Sequence, residues 1–567
     1  MPTALDNTLV AIMDQLVKPE MPFETVPFDR FGVQIPAFKH APPTLAHYFA
    51  HFCNEHKDKV FLVDGDCRLT FGEAWLAATH VAAGLEQMHG VKPGDRVGIA
   101  ARNSANWIIA YMGIIMAGGC ATLLNGFWSG EEIAYGIDLA DCDLVLADAG
   151  RAKRFDGIGH SAKVVLFDHD CDPATGLAAI WGDGDTAMRM LGQLTPDGMA
   201  TILYTSGSTG SSKAAWSDHR GVVHGVMSYV SQSAMAKLYM EGKGEDVSQQ
   251  PSTLIAVPLF HVTGEVPLFL QSYAIGRKVV LMPKWDAYEA MRLMEAEKVS
   301  YFAGVPLMTY EMASHPEREK FDLSALKSLA AGGAPRPVEH VTKIRKAFPD
   351  GFPLLGYGLT ETNGVGCGNL NENYLAKPGS TGRASRPLVD LAILDDDGNK
   401  LPQGAVGEVC MRTICNFRGY WKNDEATEAA FTSDGYFRTG DLGYLDEDDY
   451  LFIVDRKKDI IIRGGENISC IEVEEAIYAH DAIAECSVFG VPEERFGELP
   501  AAVFYVKPGQ HIASEDLRDF LLEHIAPFKV PLLEHIWQSD DPLPRLGTQK
   551  IDKRTVRKQF ADDPIGA

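Results

Sequence analysis

Short apolar runs that alternate with helix-like stretches constrain this 567-residue chain more than any other feature. Strands that alternate with helices are typical of βαβ units, in which neighbouring strands are parallel. Because the alternation is repeated over such a long region, we expect two sheets rather than one. The strand-like runs lie at residues 97–101, 120–124, 143–147, 163–167, 200–204, 253–258, 278–282, 301–305, 328–331 and 353–355.

The remaining segments differ from this region in their sequence pattern. From about residue 380, turn-forming residues separate short strands and indicate a small β-rich part that extends to about residue 455. A compact α+β pattern follows, whereas residues 1–40 show no clear period and predict an arm on the surface. We therefore predict an α/β fold with a large N-terminal domain of two βαβ-type sheets and the β-rich part (1–457), followed by a small α+β C-terminal domain (458–567).

Composition excludes several partners. A net charge of −25 argues against nucleic acid and against an anionic membrane surface, because both attract basic patches. The ten cysteines have no C-x-x-C pair or metal-ligand spacing, which favours reduced thiols over disulfides or zinc. The most apolar segment, residues 107–117, is shorter than the roughly 20 residues of a membrane span. We expect a cytoplasmic protein without an integral membrane segment.

The stretch from Thr205 to Lys213 has the composition of a phosphate-binding loop. Small residues let backbone N–H groups approach an anion, hydroxyls donate to phosphate oxygens, and the lysine supplies positive charge. It is not a Walker A loop, because Ser212 and not glycine precedes the lysine. Taken alone, the stretch is equally compatible with a flexible Gly/Ser connector. The candidate ligands are Thr205, Ser206, Gly207, Ser208, Thr209, Gly210 and Lys213.

Two further segments bring together groups that suit a nucleotide. In the first, the Tyr357 ring can stack on a purine, the Thr360 hydroxyl can reach a phosphate, and the Glu361 carboxylate can hold Mg²⁺. In the second, Asp441 lies in a tight turn where its carboxylate can accept two ribose hydroxyls. A glycine-rich turn and an aspartate that caps its own backbone are the respective alternatives.

Taken in order along the chain, these motifs resemble the adenylate-forming superfamily of acyl-CoA synthetases, luciferases and peptide-synthetase adenylation domains. The resemblance extends from about residue 45 to residue 558. It rests on residues 205–213, 357–362, 436–441 and 455–467 and on the late lysine Lys550. Within the superfamily, residues 258–264 and the glycine loop at 464–468 are most similar to acyl-CoA ligases.

The resemblance implies two half-reactions. A carboxylate and Mg·ATP give acyl-AMP and pyrophosphate, and coenzyme A then attacks the acyl carbon. Lys550 would bridge the attacking carboxylate and the α-phosphate, the 205–213 loop would hold the β and γ phosphates, and Thr360 and Glu361 would contact the α-phosphate and Mg²⁺. Tyr357 and the backbone of Gly333, Ala334 and Pro335 would flank the adenine, while Asp441 and Arg456 would hold the ribose.

Other roles in the family follow the same resemblance. Lys458 matches the hinge about which the mobile C-terminal domain rotates between half-reactions, bringing Gly464, Gly465 and Glu466 to the pantetheine channel. His261 and Gly332 would line the acyl and thiol site. For a lone histidine after a strand, a packing or capping role is the alternative.

The chain departs from the family pattern at three positions. Ser212 stands where many members have proline, Ala214 where many have glycine, and Gln549 where glycine usually precedes the catalytic lysine. Lys553 is therefore a rival for the role of Lys550.

We interpret the protein as an ATP-dependent acyl-CoA ligase, and three alternatives stay open. They are an enzyme that loads a carrier protein, an enzyme that oxidises the adenylate, and a non-catalytic acyl-nucleotide binding protein. The segments expected to line the acyl pocket are those around His261 and Gly332 and residues 304–312 and 357–364. They carry no charged group that would obviously pair with an amino or a second carboxyl group, so we expect a fatty or other apolar acid. The partners would be ATP, the acid and coenzyme A, and the family suggests a homodimer.

Overall fold

The computed structural model describes residues 4–30, 32–184, 193–205, 212–333, 336, 338–546 and 550–562. Internal contacts divide the chain into two compact units. The first consists of Met1–Pro335, Lys343–Leu391 and Met411–Phe437, and the second of Arg336–Thr342, Ala392–Cys410 and Arg438–Ala567.

The strands of the described residues are, in chain order, β1 (Thr25–Arg30), β2 (Val33–Phe38), β3 (Val60–Asp64), β4 (Cys67–Thr70), β5 (Arg96–Ala100), β6 (Cys120–Leu123), β7 (Leu144–Ala147), β8 (Lys163–Leu166), β9 (Met199–Thr205), β10 (Lys213–Asp218), β11 (Ser252–Ile255), β12 (Lys278–Leu281), β13 (Tyr301–Gly304), β14 (Ser328–Gly332), β15 (Phe352–Gly358), β16 (Gly366–Asn369), β17 (Arg383–Ala384), β18 (Asp390–Leu394), β19 (Gly407–Arg412), β20 (Gly419–Tyr420), β21 (Phe437–Leu445), β22 (Leu451–Arg456), β23 (Ile461–Arg463), β24 (Glu466–Ile468), β25 (Ile483–Glu493), β26 (Gly497–Val506) and β27 (Ile536–Gln538). The α-helices are Ala4–Leu16, Leu45–Glu55, Phe71–His89, Ala105–Met116, Gly130–Leu139, Ala149–Phe155, Pro173–Gly176, His219–Gly242, Gln271–Ala274, Ala287–Ala296, Pro306–Ser314, Val338–Ala347, Asn371–Ala376, Asp424–Ala429, Cys470–Tyr478, Ser514–His524 and Lys553–Arg557.

The first unit contains the two predicted sheets. One has seven strands in the order β20-β10-β9-β6-β5-β7-β8, and the other has nine in the order β17-β16-β15-β14-β13-β11-β12-β3-β4. The central strands of both sheets are parallel, from β9 to β8 and from β15 to β3. Strands such as β6 and β7 are buried along their whole length, which is why they are apolar without alternation. The predicted α/β class is confirmed.

Local signals in the sequence set several helix ends. Thr70 accepts a hydrogen bond from the Glu73 backbone N–H, and the Glu73 carboxylate accepts one from the Thr70 N–H, so the two residues form a capping box. The apolar segment near residue 107 forms the helix Ala105–Met116, which is buried along its whole length. Within the described ranges, no helix combines the length and apolar character that a membrane crossing requires.

The N-terminal arm is more than a surface segment, so that prediction was wrong. It forms a helix and the β1/β2 hairpin, and β1 ends at Arg30, whose side chain is fully buried. The Arg30 guanidinium donates to both carboxylate oxygens of Asp218, at 2.9 and 3.2 Å, and to the Asn416 carbonyl at 2.6 Å. The sequence period was unreadable because the hairpin pairs Pro27 with Pro36.

The second unit contains a four-stranded sheet in the order β18-β19-β21-β22 and a five-stranded sheet in which β27 joins the row β24-β23-β26-β25. The helices Cys470–Tyr478 and Ser514–His524 cover the five-stranded sheet, and Val473, Ile477 and Leu517 are buried in the shared core. This is the α+β pattern that the sequence predicts for its last hundred residues.

The cysteines correct one expectation. Cys67 on β4 and Cys171 in the loop after β8 form a disulfide, with their Cα atoms 5.2 Å apart. The other eight cysteines are free and buried. Spacing along the chain could not reveal the pair, because 104 residues separate its members.

Candidate functional site

The predicted phosphate loop connects two antiparallel strands. Thr205 at the end of β9 pairs with Lys213 at the start of β10. The predicted ligands Ser206, Gly207, Ser208, Thr209 and Gly210 lie outside the described residues. The Lys213 ammonium lies 4.6 Å from the centre of the Tyr420 ring, a cation–π distance.

The second predicted group lies where β15 ends. A single 3₁₀ turn, Thr360–Thr362, follows β15, and the Leu359 backbone N–H donates to the Thr362 hydroxyl at 3.1 Å. Glu361 is buried, and its carboxylate accepts a hydrogen bond of 2.8 Å from the Tyr420 hydroxyl. The turn therefore presents a hydroxyl and a carboxylate beside the strand that carries Tyr357.

Asn363 holds this turn in place. Its φ is +49°, in the left-handed region that asparagine tolerates better than most residues. Its side-chain amide donates to the Ser217 hydroxyl at 3.1 Å and to the Cys415 carbonyl at 2.7 Å. The turn that carries Thr360 and Glu361 is thus attached to β10, the strand that begins at Lys213.

The predicted glycine segment lies beside β15. Gly332 ends β14 and pairs with Gly356 of β15, and Gly333 has a φ of +75°. The neighbouring strands are parallel, so their carboxyl ends meet at one edge, where α/β proteins bind ligands. This edge carries Gly332, Gly333 and Tyr357, while Ala334 and Pro335 lie outside the described residues.

His261 follows β11 and precedes the π-helical segment Gly264–Leu270. Its Nδ1 accepts a hydrogen bond of 3.2 Å from the Thr263 backbone N–H, which leaves Nε2 as the protonated nitrogen of the neutral ring. The preceding loop is fixed by Asn103, a buried residue that the sequence reasoning missed. The Asn103 amide donates to the Val257 carbonyl at 2.8 Å and accepts from the Leu259 N–H at 2.9 Å.

In the second unit the structure brings together Asp441, Arg456 and Lys550. Asp441 pairs with Arg456 across β21 and β22, and the Arg456 Nε lies 3.1 Å from an Asp441 carboxylate oxygen. The Lys550 ammonium lies close enough for both to affect its titration. Burial and the Arg456 charge lower the pKa of Lys550 to about 8, whereas Asp441 opposes the shift.

Lys553, the rival of Lys550, has a different environment. Its ammonium lies 2.7 Å from a Glu474 carboxylate oxygen and 3.3 Å from the Val488 carbonyl. Burial alone would lower the pKa of Lys553, but Glu474 raises it above its usual value. Lys553 is thus engaged with Glu474, whereas Lys550 lies near the predicted ribose ligands. Gln549 lies outside the described residues.

The predicted glycine loop and hinge are both turns of the second unit. Gly464 and Gly465 form the two-residue turn between β23 and β24, with φ values of +60° and +94°, and Glu466 begins β24. Positive φ at both positions is the requirement of a type I′ hairpin turn and explains the glycine pair. Lys458 lies in an exposed turn between β22 and β23.

Comparison with known proteins identifies the family to which this architecture belongs. The family model described as AMP-binding enzyme matches residues 49–421, and that of the AMP-binding enzyme C-terminal domain matches residues 472–550. The long-chain-fatty-acid–CoA ligase of Bacillus subtilis (strain 168) is 30% identical over 529 residues, which cover 88% of this chain and 91% of that protein. The 4-coumarate–CoA ligase-like 4 protein of Oryza sativa subsp. japonica is 31% identical over 492 residues, which cover 84% of this chain and 86% of that protein.

A solved structure agrees with these relatives. ATP-bound MatB from Rhodopseudomonas palustris superposes with a TM-score of 0.78 at 26% identity, covering 90% of this chain and 98% of that one. The family match spans most of the chain and includes the segments that carry Lys213, Glu361 and Lys550. The chain therefore belongs to the AMP-binding enzyme family, among its adenylate-forming acyl-CoA synthetases, and is an AMP-forming acid–thiol ligase.

Proposed function

We propose that the protein activates an apolar carboxylic acid, fatty or aryl, as acyl-AMP with release of pyrophosphate, and then transfers the acyl group to coenzyme A. The observation that carries this proposal is the position of Lys550 beside Asp441 and Arg456. A lysine next to the predicted ribose ligands is suited to act at the α-phosphate of a nucleotide bound there.

In the first half-reaction a carboxylate oxygen attacks the α-phosphorus, and the bond to the pyrophosphate oxygen breaks. Both reactants are anionic, so the step depends on positive charge near the new bond. Lys550 would supply that charge, Thr360 would donate to the α-phosphate, and Lys213 with the 205–210 loop would hold the β and γ phosphates. The adenine would lie between Tyr357 and residues 333–335, and Asp441 with Arg456 would hold the ribose hydroxyls.

Magnesium would enter this site with ATP. Mg²⁺ is usually bound through one or two carboxylates and substrate phosphates, keeping several waters. Among the described residues there is no group of three or more His, Cys, Asp or Glu side chains that could hold a metal alone. The buried carboxylate of Glu361 fits binding of Mg²⁺ by one carboxylate together with substrate phosphates. Glu361 would therefore hold Mg²⁺, which would neutralise phosphate charge when bound.

An apolar acid is supported by the surroundings of Gly364. The side-chain atoms nearest the position of a Cβ at Gly364 belong to Val262, Tyr229 and Pro267, at 3.4 to 4.0 Å, and none of these is charged. Glu311, which also lies in a segment expected to line the pocket, accepts a hydrogen bond of 2.6 Å from the Trp285 indole. The two relatives are named for a long-chain fatty acid and 4-coumarate.

We propose that Lys458 is the hinge between an N-terminal domain of residues 1–457 and a mobile C-terminal domain of residues 458–567. Its position in an exposed turn between two strands supports this role. Rotation would withdraw Lys550 and bring Gly464, Gly465 and Glu466 to the pantetheine, with His261 and Gly332 at the acyl site. Replacing Lys458 with proline should spare pyrophosphate exchange and reduce thioester formation.

The central experiment is acid-dependent exchange between ATP and pyrophosphate, followed by thioester formation. The purified protein is given Mg·ATP with a panel of fatty, aryl and alicyclic acids and amino acids. Preformed acyl-AMP is then offered coenzyme A, a carrier protein or oxygen, to separate the ligase from a carrier-loading enzyme or an oxygenase. Exchange with apolar acids and transfer to coenzyme A are expected. ATP binding without pyrophosphate release for any acid would leave only the non-catalytic alternative.

Two further proposals concern the cell and the assembly. Eight of the ten cysteines are free and buried, which supports a cytoplasmic location, whereas the Cys67–Cys171 disulfide does not. A role in fatty acid metabolism is supported by the name of the long-chain-fatty-acid–CoA ligase relative. A homodimer is proposed from the family and would be tested by light scattering of the purified protein.

A further inference from the structure

Tyr420 contacts both Glu361, the proposed Mg²⁺ ligand, and Lys213, a proposed phosphate ligand. Its hydroxyl donates to the Glu361 carboxylate at 2.8 Å, and the Lys213 ammonium lies 4.6 Å from the centre of its ring. Glu361 and Lys213 are 148 residues apart in sequence, and Tyr420 lies 59 residues beyond Glu361. One side chain therefore connects the proposed metal ligand to the proposed phosphate ligand.

The strand register explains this arrangement. Tyr420 of β20 pairs with Ala215 of β10 in an antiparallel ladder. Side chains alternate along a strand, so Lys213 lies on the same face of β10 as Ala215 and diagonally across from Tyr420. Lys213 and Tyr420 meet for this reason.

The backbone of Tyr420 is also fixed. Its N–H donates to the Thr427 hydroxyl at 2.9 Å, and its ring packs edge-on against Phe417 at a centroid distance of 4.9 Å. The Phe417 N–H in turn donates to the Glu361 carbonyl at 2.8 Å. The two segments that meet at the Tyr420–Glu361 hydrogen bond are thus tied together by main chain as well as by side chain.

A phenol hydroxyl donates to a carboxylate without competing for the cation that the carboxylate binds.

We propose that Tyr420 is a positioning residue of the adenylation half-reaction, which holds the Glu361 carboxylate with its hydroxyl and the Lys213 ammonium with its ring before Mg·ATP binds. This inference rests on the proposed function. A binding site that is already arranged does not lose free energy in ordering two flexible side chains when the ligand enters. The alternative is that Tyr420 only fills space in the aromatic cluster with Phe417 and Phe437.

Tyr436 provides a matched control. Its hydroxyl donates to an Asp390 carboxylate oxygen at 2.6 Å, and the Arg412 guanidinium lies 4.5 Å from the centre of its ring. It thus makes the same two kinds of contact as Tyr420, but with residues to which no substrate role is assigned. Tyr436→Phe controls for the general loss of a phenol that donates to a carboxylate.

The experiment measures the two half-reactions separately in Tyr420→Phe, Tyr420→Leu and Tyr436→Phe. Tyr420→Phe removes the hydrogen bond to Glu361, so we expect the Mg²⁺ concentration for half-maximal exchange to rise about 10-fold, the effect of one hydrogen bond to a charged group. Because the variant keeps the ring that contacts Lys213, the KM for ATP should change little. Tyr420→Leu should also raise the KM for ATP. Thioester formation from preformed acyl-AMP should stay within about twofold in all three variants, and Tyr436→Phe should leave Mg²⁺ dependence unchanged.

Two results would overturn the proposal. One is an unchanged Mg²⁺ dependence in Tyr420→Phe, and the other is a parallel loss of both half-reactions and of thermal stability in both Tyr420 variants. Failure of the proposed function is distinguishable, because the wild-type protein would then show no exchange with any acid. In that case calorimetric titration with ATP at increasing Mg²⁺ concentration, which needs no acid, compares the same variants. A higher Mg²⁺ requirement only in the Tyr420 variants supports the positioning role, and an equal requirement excludes it.

Discussion

The Lys553 ammonium lies 2.7 Å from a carboxylate oxygen of Glu474, whereas Lys550, three residues earlier, lies beside Asp441 and Arg456. Two lysines on one short segment therefore have separate environments. One is engaged in an ion pair with a helix of the same unit, and the other lies at the predicted ribose site.

Replacing each lysine with alanine should separate their roles. We expect Lys550→Ala to reduce pyrophosphate exchange by about 10²- to 10³-fold, the usual effect of removing one group that stabilises transition-state charge. Lys553→Ala should retain exchange in the folded protein and cost about 1 kcal/mol of stability, because its ion pair is partly exposed. Exchange assays and thermal melts of both variants check this. The opposite assignment would appear as normal exchange in Lys550→Ala.

The pH dependence of adenylation should follow Lys550. Its pKa of about 8 means that the charged form, which the proposed first half-reaction needs, is lost as the pH rises through 8. Exchange should therefore fall about 16-fold between pH 8 and pH 9.5. Lys550→Arg remains charged over this range and should abolish the decline, whatever its absolute rate. Thioester formation from preformed acyl-AMP is the control, because it should not share the decline.

The buried carboxyl of Glu265 should make stability depend on pH. Burial raises the pKa of Glu265 to about 8, although a hydrogen bond of 2.7 Å from the Tyr111 hydroxyl partly opposes the shift. Between the unfolded pKa of 4.5 and about 8, the folded chain binds a proton that the unfolded chain has lost, so stability falls by about 1.4 kcal/mol per pH unit.

Glu265→Gln removes this titration. Relative to the wild-type protein, the variant should gain stability steadily from pH 5 to pH 8, even if its stability at pH 5 is lower. Melting temperatures of both proteins across this range are the measurement. A constant difference between the two curves would show that Glu265 does not titrate in the folded protein.

Breaking the Arg30–Asp218 pair should be costly. Both side chains are fully buried, so Arg30→Met removes the bidentate partner of the Asp218 carboxylate and leaves it only Arg418, at 3.7 Å, as a cation. The free energy of unfolding should fall by about 3 kcal/mol. Adding Asp218→Asn should recover part of the loss, because the amide oxygen can still accept from the Gly221 N–H at the start of its helix. Arg292→Met breaks the exposed pair with Glu289 and should change stability by less than about 1 kcal/mol. Denaturant unfolding of the four proteins distinguishes these effects, and equal losses in Arg30→Met and Arg292→Met would contradict them.

The parallel strands could be predicted because burial on both faces makes them continuous apolar runs. β10 was missed, since Lys213–Asp218 mixes charged, small and aromatic residues and begins at a proposed ligand. Its place in the sheet is set by pairing with β9 and β20, which depends on residues far away in sequence.

Residues of the candidate site could be predicted where they lie together in one short motif. Residues whose partners are far away in sequence were missed. Thr360 and Glu361 are adjacent to Tyr357, so one short segment reveals them. Tyr420 and Asn103 act through partners 59 to 207 residues away, and neither lies in a motif. Asn103 follows the end of a parallel strand, a position where a polar residue is itself a signal.

The β1/β2 hairpin has a consequence for truncated and chimeric versions of this enzyme. Arg30 fastens the amino-terminal segment to the last residue of the strand that begins at Lys213. A version trimmed to start after residue 40 would keep every residue assigned to substrate. It would, however, lose the Arg30 contact to the strand that carries Lys213, the proposed phosphate ligand. Chimeras with related enzymes should therefore exchange the first 40 residues together with β10.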